Sequence, residues 1–555
     1  MSEYDSTIRP VVTTKSSHYE LSRQHSTRRN FTYHLKFPAR GLKDFEKTLA
    51  ILEVETILQG KLTLNNNHVV LDSNRIFDIK TLERMTAFGK IRVSVNSHEQ
   101  EIVTHQYLLE NSPSLMNDHV ETASHKLALT RNRNYLLHDL HPYKGRFYPQ
   151  LIKPLINSFC KPKDIILDPF CGSGTTLLEA NLMGITSIGI DLNPIALFIT
   201  KVKMQSLYMS YNDALVNCER TLKDLKRRIM LLRKNNNRYV SLKDKDSKAY
   251  SLYHLLDSIP NKEAWFNQGV LEELFLIRMT IDECEIPEIR DFMLLALSAI
   301  VKDVSNWDSS SLRQRLLKIP KSNVMTLESF QDKLRTNLML LRSFEIIRNK
   351  IDPIKANYSI INGDSRNLDS LENCSINAII TSPPYSTSAS LPYIETDKLS
   401  MYILGLLTPK LKSNLKTSII GERDISENQR LKLEEEFITN YEDIPIPSHI
   451  KSIIRLLLLQ NRKNKVGFRR RNLASTLYRY FNDMHQCIDE MNRVIRPGGT
   501  LCLITGDSYT KVGGTKKVLI PTTRTIREMT EGVGFKLLKI ISMTPTQNIL
   551  ILRAS

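Results

Sequence analysis

The chain has 555 residues, 41% of them hydrophobic, which allows about two to four domains with real cores and argues against global disorder. Lys and Arg number 77 against 59 Asp and Glu, a formal +18, and this excess suits a polyanion because each neutralised phosphate releases a condensed counterion. The seven cysteines never approach CxxC spacing, which speaks against a disulfide framework or a zinc site, and no apolar run nears the ~20 residues that span a membrane.

Residues 1–30 are polar and basic and are expected to be loose. The opening MSEYDSTIRP lacks an apolar signal core, so a cytoplasmic protein is expected. Residues 1–130 read as an N-terminal α+β domain and a candidate for nucleic-acid recognition. Its alternating segments FTYHLKF, GKLTLNNNHVVLD and GKIRVSV surround a helical stretch, LKDFEKTLAILEVETIL. Residues 131–204 hold two β-rich runs, DIILD (164–168) and TSIGID (186–191). The helical TTLLEANLMG between them has the length of a right-handed crossover between parallel strands.

Residues 205–355 carry repeated helical periodicity (LKDLKRRIMLLRK, VLEELFLIRMTIDE, RDFMLLALSAIVKDV) and read as a helical insertion, the first candidate for target recognition. Residues 356–555 supply five more strands: YSIING, NAIITS, GTLCLITGD, FKLLKIIS and NILILRA. They also contain an inserted basic loop, 386–475, with the run NRKNKVGFRRR. A short polar link joins the last two strands, so they are expected to pair antiparallel. The fold class is therefore α/β, a Rossmann-like seven-stranded sheet with one reversed strand, a helical insertion and an N-terminal α+β domain. Both insertions follow strands of the sheet, on the side where open α/β sheets bind ligands.

Two motifs carry chemistry. ILDPFCGSGTT (166–176) is an acid-ended strand, a glycine turn and a helix start. TSPPY (381–385) puts a hydroxyl, two prolines and an aromatic at the end of another strand. Together they resemble the cofactor and catalytic loops of the S-adenosylmethionine-dependent DNA amino-methyltransferases, over roughly 131–204 and 356–555. That resemblance implies the methyltransferase sheet and S-adenosylmethionine as cofactor. This ligand carries a cationic sulfonium and no phosphate, so its site needs close backbone approach and acidic anchors. Phe170, Cys171, Gly172, Ser173, Gly174 and Thr175 would form the loop, with the glycines removing bulk and tolerating positive φ. Asp168 would hold the methionine ammonium, directly or through water, Asp191 the ribose hydroxyls and Asp364 the adenine amine. Asp191 and Asp364 could instead cap the helices that follow them. HPYKGRFYPQLIKPLI (141–156) resembles the family's leading segment, with Lys144, Phe147 and Tyr148 over the methionine moiety; the competing reading is a packing helix with an aromatic cap. Cys171 reads as a packing residue.

In the catalytic loop, Ser382 and the Pro383 carbonyl would accept hydrogen bonds from an exocyclic amine and aim its lone pair at the methyl group. Pro383 and Pro384 would rigidify the loop, and Tyr385 would stack a flipped base. Transfer would be a direct displacement at sulfur. Serine at the first position resembles the cytosine-N4 enzymes, whereas Asp or Asn is more usual for adenine-N6. Cytosine-C5 chemistry needs a thiolate, normally in a Pro-Cys pair, which this chain lacks. Asp507, the last residue of GTLCLITGD, could line the base pocket or cap a helix. Arg462, Lys463, Lys465, Arg469, Arg470 and Arg471 are candidate DNA phosphate contacts. The leading expectation is a cytosine-N4 methyltransferase acting on double-stranded DNA in a restriction–modification or defence system, with a restriction endonuclease as its companion. Adenine-N6 specificity, a tRNA guanine-N2 methyltransferase and an idle DNA-binding scaffold are the alternatives.

Overall fold

A computed structural model of the chain describes residues 31–110, 135–234 and 259–555, apart from 38–41, 59, 66–67, 96–97, 309, 311–314, 352, 387–392, 423–424, 464–465 and 514–515. The expected loose segment 1–30, Lys465, and the side chains of Arg462 and Lys463 lie outside the described residues.

The N-terminal unit is an antiparallel sheet of β1 (Phe31–Lys36), β2 (Lys61–Asn65), β3 (His68–Ser73), β4 (Lys90–Val95) and β5 (His98–Val103), in the order β2-β3-β1-β4-β5. The edge strand β5, HEQEIV, has little apolar pattern and escapes a sequence reading. Helix α1 (Asp44–Ile57) buries Ala50 and Val54 against this sheet. Its Phe45, Leu49 and Leu52 face Leu151, Ile152 and Leu155 of α2 (Pro149–Phe159). Between the two helices, the buried Glu53 carboxylate accepts hydrogen bonds from Thr86 and from Asn157 Nδ2.

The main sheet contains seven strands. In chain order they are β6 (Ile165–Asp168), β7 (Thr186–Asp191), β8 (Tyr358–Asn362), β9 (Ile376–Thr381), β10 (Ile495–Gly506), β13 (Phe535–Thr544) and β14 (Gln547–Ala554). Their order is β13-β14-β10-β9-β6-β7-β8, with β14 antiparallel to both neighbours and the other pairings parallel. All seven expected strands and the single reversed one are present, and this is the Rossmann-like methyltransferase sheet. The order of winding reverses between β6 and β9, so a crevice opens outside the carboxyl ends of these two strands.

Helix α3 (Thr175–Leu182) crosses from β6 to β7, and α4 (Pro194–Ser206) follows β7. Helices α5 (Tyr211–Lys234), α6 (Gln268–Asp282), α7 (Pro287–Val304) and α8 (Thr326–Ile351) lie between β7 and β8. Helix α7 is apolar on nearly every face because α4, α6, α8 and α9 (Tyr393–Leu404) surround it. No described helix is long and apolar enough to cross a membrane.

The segment 386–475 corrects the sequence reading. Where described it is not a loop but a run of helices: α9, α10 (Pro409–Ser418), α11 (Glu427–Thr439), α12 (Ser448–Lys463) and the start of α13 (Phe468–Val494). The charge run drew attention away from helical periodicity such as IIRLLLL, whose Ile454, Leu457 and Leu458 are buried. A second correction is the two-stranded ribbon β11 (Ser508–Val512) and β12 (Lys516–Ile520), between β10 and α14 (Thr522–Gly532).

Candidate active site

The two motif loops leave adjacent strands at the reversal point and meet over one cavity. Its wall includes Phe170 and Gly172 from the first loop and Ser382 and Pro384 from the second. Asp191 ends β7 with Leu192 and Asn193 just beyond it, and Asp364 and Ser365 follow β8.

Gly172 and Gly174 have φ of +50° and +76°, in the left-handed region that L side chains avoid. At Gly174 a Cβ would come within 2.6 Å of Thr200 Cγ2, so a side chain is also excluded by space. Helix α4 holds the loop from behind. Thr200 Oγ1 donates to the Gly172 carbonyl at 2.9 Å, and the fully buried Lys203 donates from Nζ to the Ser173 carbonyl at 2.9 Å. Burial, with Arg146 adding repulsion, lowers the Lys203 amine to about 7.

Asp168 is 1% exposed and outside the cavity wall. Its Oδ2 accepts from Thr176 Oγ1 at 2.6 Å and its Oδ1 from Thr381 Oγ1 at 2.6 Å, with the Phe170 amide at 3.2 Å. Desolvation raises its carboxyl to about 6 against the pull of these donors. Direct contact with a ligand's ammonium is therefore corrected: Asp168 joins the cofactor loop to the strand that carries Ser382. Asp191 does face the cavity. Its Oδ2 accepts from Gly172 N at 2.9 Å and its Oδ1 from Asn193 N at 2.8 Å, and burial pushes its carboxyl up.

Asp364 also faces the cavity, forked by the Arg366 guanidinium at 2.6 Å. Arg366 reaches on to Asp483 of α13 at 2.8 Å and to the Ser418 carbonyl at 2.8 Å. This bridge brings Ile419 and Ile420, just past α10, into the wall. Neither Arg366 nor these isoleucines sits in a recognisable motif, so sequence reasoning missed them.

The leading segment is also corrected. Tyr143 and Gly145 line the cavity, with Tyr143 Cε1 3.6 Å from a Cβ placed on Gly172. Gly145, at φ +86°, turns the chain, and Phe147 and Tyr148 pack with α1 and α2 beneath the sheet. Lys144 is exposed. Cys171, Ser173 and Thr175 are buried behind the loop. Burial drives the Cys171 thiol well above its usual range, as befits a packing residue.

In the second loop, Ser382 is half-buried and Pro383 buried. The Tyr385 phenol is hydrogen-bonded to Ser382 and to Gln547 Nε2 at 3.4 Å, and burial raises its pKa. Its ring lies 3.8 Å from a Cβ placed on Gly506. Asp507 resolves towards capping: its Oδ1 accepts from Thr523 N at the start of α14, at 2.7 Å. Arg469, Arg470 and Arg471 are exposed on the first turn of α13.

The cavity fits a cationic, phosphate-free adenosyl ligand. Among the described residues two carboxylates face it, no Lys or Arg lines it, and the buried Asn193 Oδ1 has no hydrogen-bond partner. Tyr143, Phe170, Leu192 and Ile419 offer apolar surface for rings. Among the described residues no His, Cys, Asp or Glu cluster could hold a metal.

Residues 87–201 match a family model described as DNA methylase, and residues 155–248 match one described as RMKL-like, methyltransferase domain. The Type II methyltransferase M.MjaII of Methanocaldococcus jannaschii is 28% identical over 323 residues, 46% of this chain and 60% of its own length. The Type II methyltransferase M.BsoBI of Geobacillus stearothermophilus is 24% identical over 461 residues, 77% of this chain and 84% of its own. A tRNA (guanine(10)-N2)-dimethyltransferase of Methanocaldococcus jannaschii is 34% identical over 105 residues, 19% of this chain and 29% of its own. The chain thus spans 60% of the first of these relatives.

Proposed function

Because the chain belongs to the S-adenosylmethionine-dependent DNA amino-methyltransferase family, we propose that it methylates the exocyclic N4 amine of a cytosine flipped out of duplex DNA. The observation that carries this reading is the Asp168 carboxylate, which binds both motif loops and so sets the cofactor loop beside Ser382. When bound, S-adenosylmethionine supplies a methyl group activated by a sulfonium. Asp191 and Asp364 would hold the ribose and adenine ends, with Tyr143 and Phe170 against the apolar surface. Ser382 and the Pro383 carbonyl would accept from the target amine and orient its lone pair towards the methyl group. Tyr385 would support the extruded base. Exclusion of water by Pro384, Ile419 and Ile420 would strengthen those polar contacts.

The Type II names of the relatives support a restriction–modification setting with a companion endonuclease. Seven unpaired cysteines accord with a reducing cytoplasm. Arg469, Arg470 and Arg471, with Arg462, Lys463 and Lys465, would contact phosphates. Replacing the three exposed arginines with Gln should lower the slope of log affinity against log salt by about 3.

Incubating the protein with labelled cofactor and duplex DNA, then digesting to nucleosides, tests the reading. N4-methylcytosine supports it and N6-methyladenine shifts the target base. The match to a tRNA guanine-N2 enzyme favours a second reading, and label on tRNA guanine with none on duplex would establish it. Cofactor binding without transfer to either would leave only a scaffold.

A further inference from the structure

The ribbon of β11 and β12 lies outside the site and outside the basic run, yet its construction is that of a contact element. Its register pairs Tyr509 with Leu519 and Lys511 with Lys517. Strand alternation puts these four side chains on one face, while Ser508, Val512 and Ile520 are buried on the other. Tyr509 is 51% exposed and Leu519 39%, and both lysines are exposed. The solvent face of a two-stranded ribbon would ordinarily be polar throughout; here an aromatic and an aliphatic side chain stand beside two cations.

Lys511 and Lys517 face each other directly across the strands, an arrangement that like charges make unfavourable. Among the described residues neither forms an ion pair; Lys517 Nζ instead lies 4.1 Å from the centroid of the Tyr509 ring. An anion spanning the two lysines would remove that repulsion.

The position of the ribbon narrows the partner. It leaves β10 two residues beyond Gly506, the position packed against Tyr385. At its turn, the Gly513 amide donates to Asn461 Oδ1 at 3.2 Å, and Asn461 Nδ2 donates to the Arg470 carbonyl at 2.8 Å. One buried asparagine therefore ties the ribbon to the arginine-rich start of α13. A groove about 12 Å wide, as in the major groove of B-DNA, admits such a ribbon.

We propose that β11 and β12 form a DNA-binding ribbon that enters the major groove of the duplex, a surface that rests on the duplex-DNA reading above. Lys511 and Lys517 meet phosphates on either side, and Tyr509 with Leu519 makes apolar contact with base edges.

The test is duplex binding by the full-length protein across a salt series. The double variant Lys511→Gln/Lys517→Gln should reduce the slope of log affinity against log salt by about 2, from ~0.9 per lost phosphate contact. Lys511→Arg/Lys517→Arg should restore it. Tyr509→Ala should weaken duplex binding about tenfold with the slope unchanged. Cofactor affinity and melting temperature should match the parent in every variant. If the parent binds and methylates duplex while the Gln variant keeps its slope and affinity, the ribbon proposal falls and the DNA reading stands. If the parent itself prefers structured RNA to duplex, both fall.

Discussion

Thr381 and Asp168, 213 residues apart in the chain, share a 2.6 Å hydrogen bond beneath the cavity. The carboxylate's other oxygen is held at 2.6 Å by Thr176. A single buried acid therefore sets the spacing of the two loops on which the chemistry depends.

Asp168→Asn should reveal that dependence through pH. The folded-state carboxyl sits at about 6 against 3.8 for the solvent-exposed group of the unfolded chain, so the folded state binds the extra proton between these values. A raised acid stabilises the fold below the unfolded value, and that contribution is lost as pH rises through about 6. Denaturant unfolding of the parent minus the variant should therefore lose roughly 1.4 kcal/mol between pH 5 and pH 8. A difference independent of pH would contradict the assignment.

Lys203→Met should behave in the opposite sense. The buried amine, lowered to about 7, holds fewer protons in the fold than in the unfolded chain between about 7 and 10.5. Parent stability relative to the variant should rise by roughly 2–3 kcal/mol between pH 6.5 and pH 9. The variant should also bind S-adenosylmethionine more weakly, because the Ser173 carbonyl loses its donor.

Gly174→Ala meets two obstacles, a φ of +76° and Thr200 Cγ2 at 2.6 Å. Together they should cost about 2–4 kcal/mol of stability and loosen the cofactor loop. Adding Thr200→Ala relieves the collision but not the dihedral, so stability should recover only in part. Thermal unfolding of the single and double variants measures both components.

Tyr385→Ala should abolish methyl transfer while leaving S-adenosylmethionine affinity within a few-fold, since the ring is outside the cavity wall. Tyr385→Phe keeps the ring and loses the hydrogen bonds to Ser382 and Gln547, so it should retain part of the activity. The stacking lost in the Ala variant is worth ~1–3 kcal/mol, readable as reduced fluorescence of a flipped base analogue. Loss of cofactor binding together with activity would misplace the residue.

The sequence was sufficient for whatever is written in local pattern. Seven short apolar runs, a helix-length crossover and a polar link between the last two strands specify the sheet, because strand burial and crossover handedness follow from period and spacing. Glycines at 172 and 174 were legible for the same reason: a tight turn before a helix demands residues without a Cβ. Which side chains face the cavity depended on the tertiary structure. Asp168 reads like a ligand contact, yet burial and two threonine hydroxyls make it a brace, and one of those hydroxyls belongs to the other motif. Tyr143 rather than Phe147 or Tyr148 reaches the site because Gly145 turns the chain between them. Arg366, Ile419 and Gln547 have no local signature, since each acquires its partner only when segments far apart in the polymer are packed against one another.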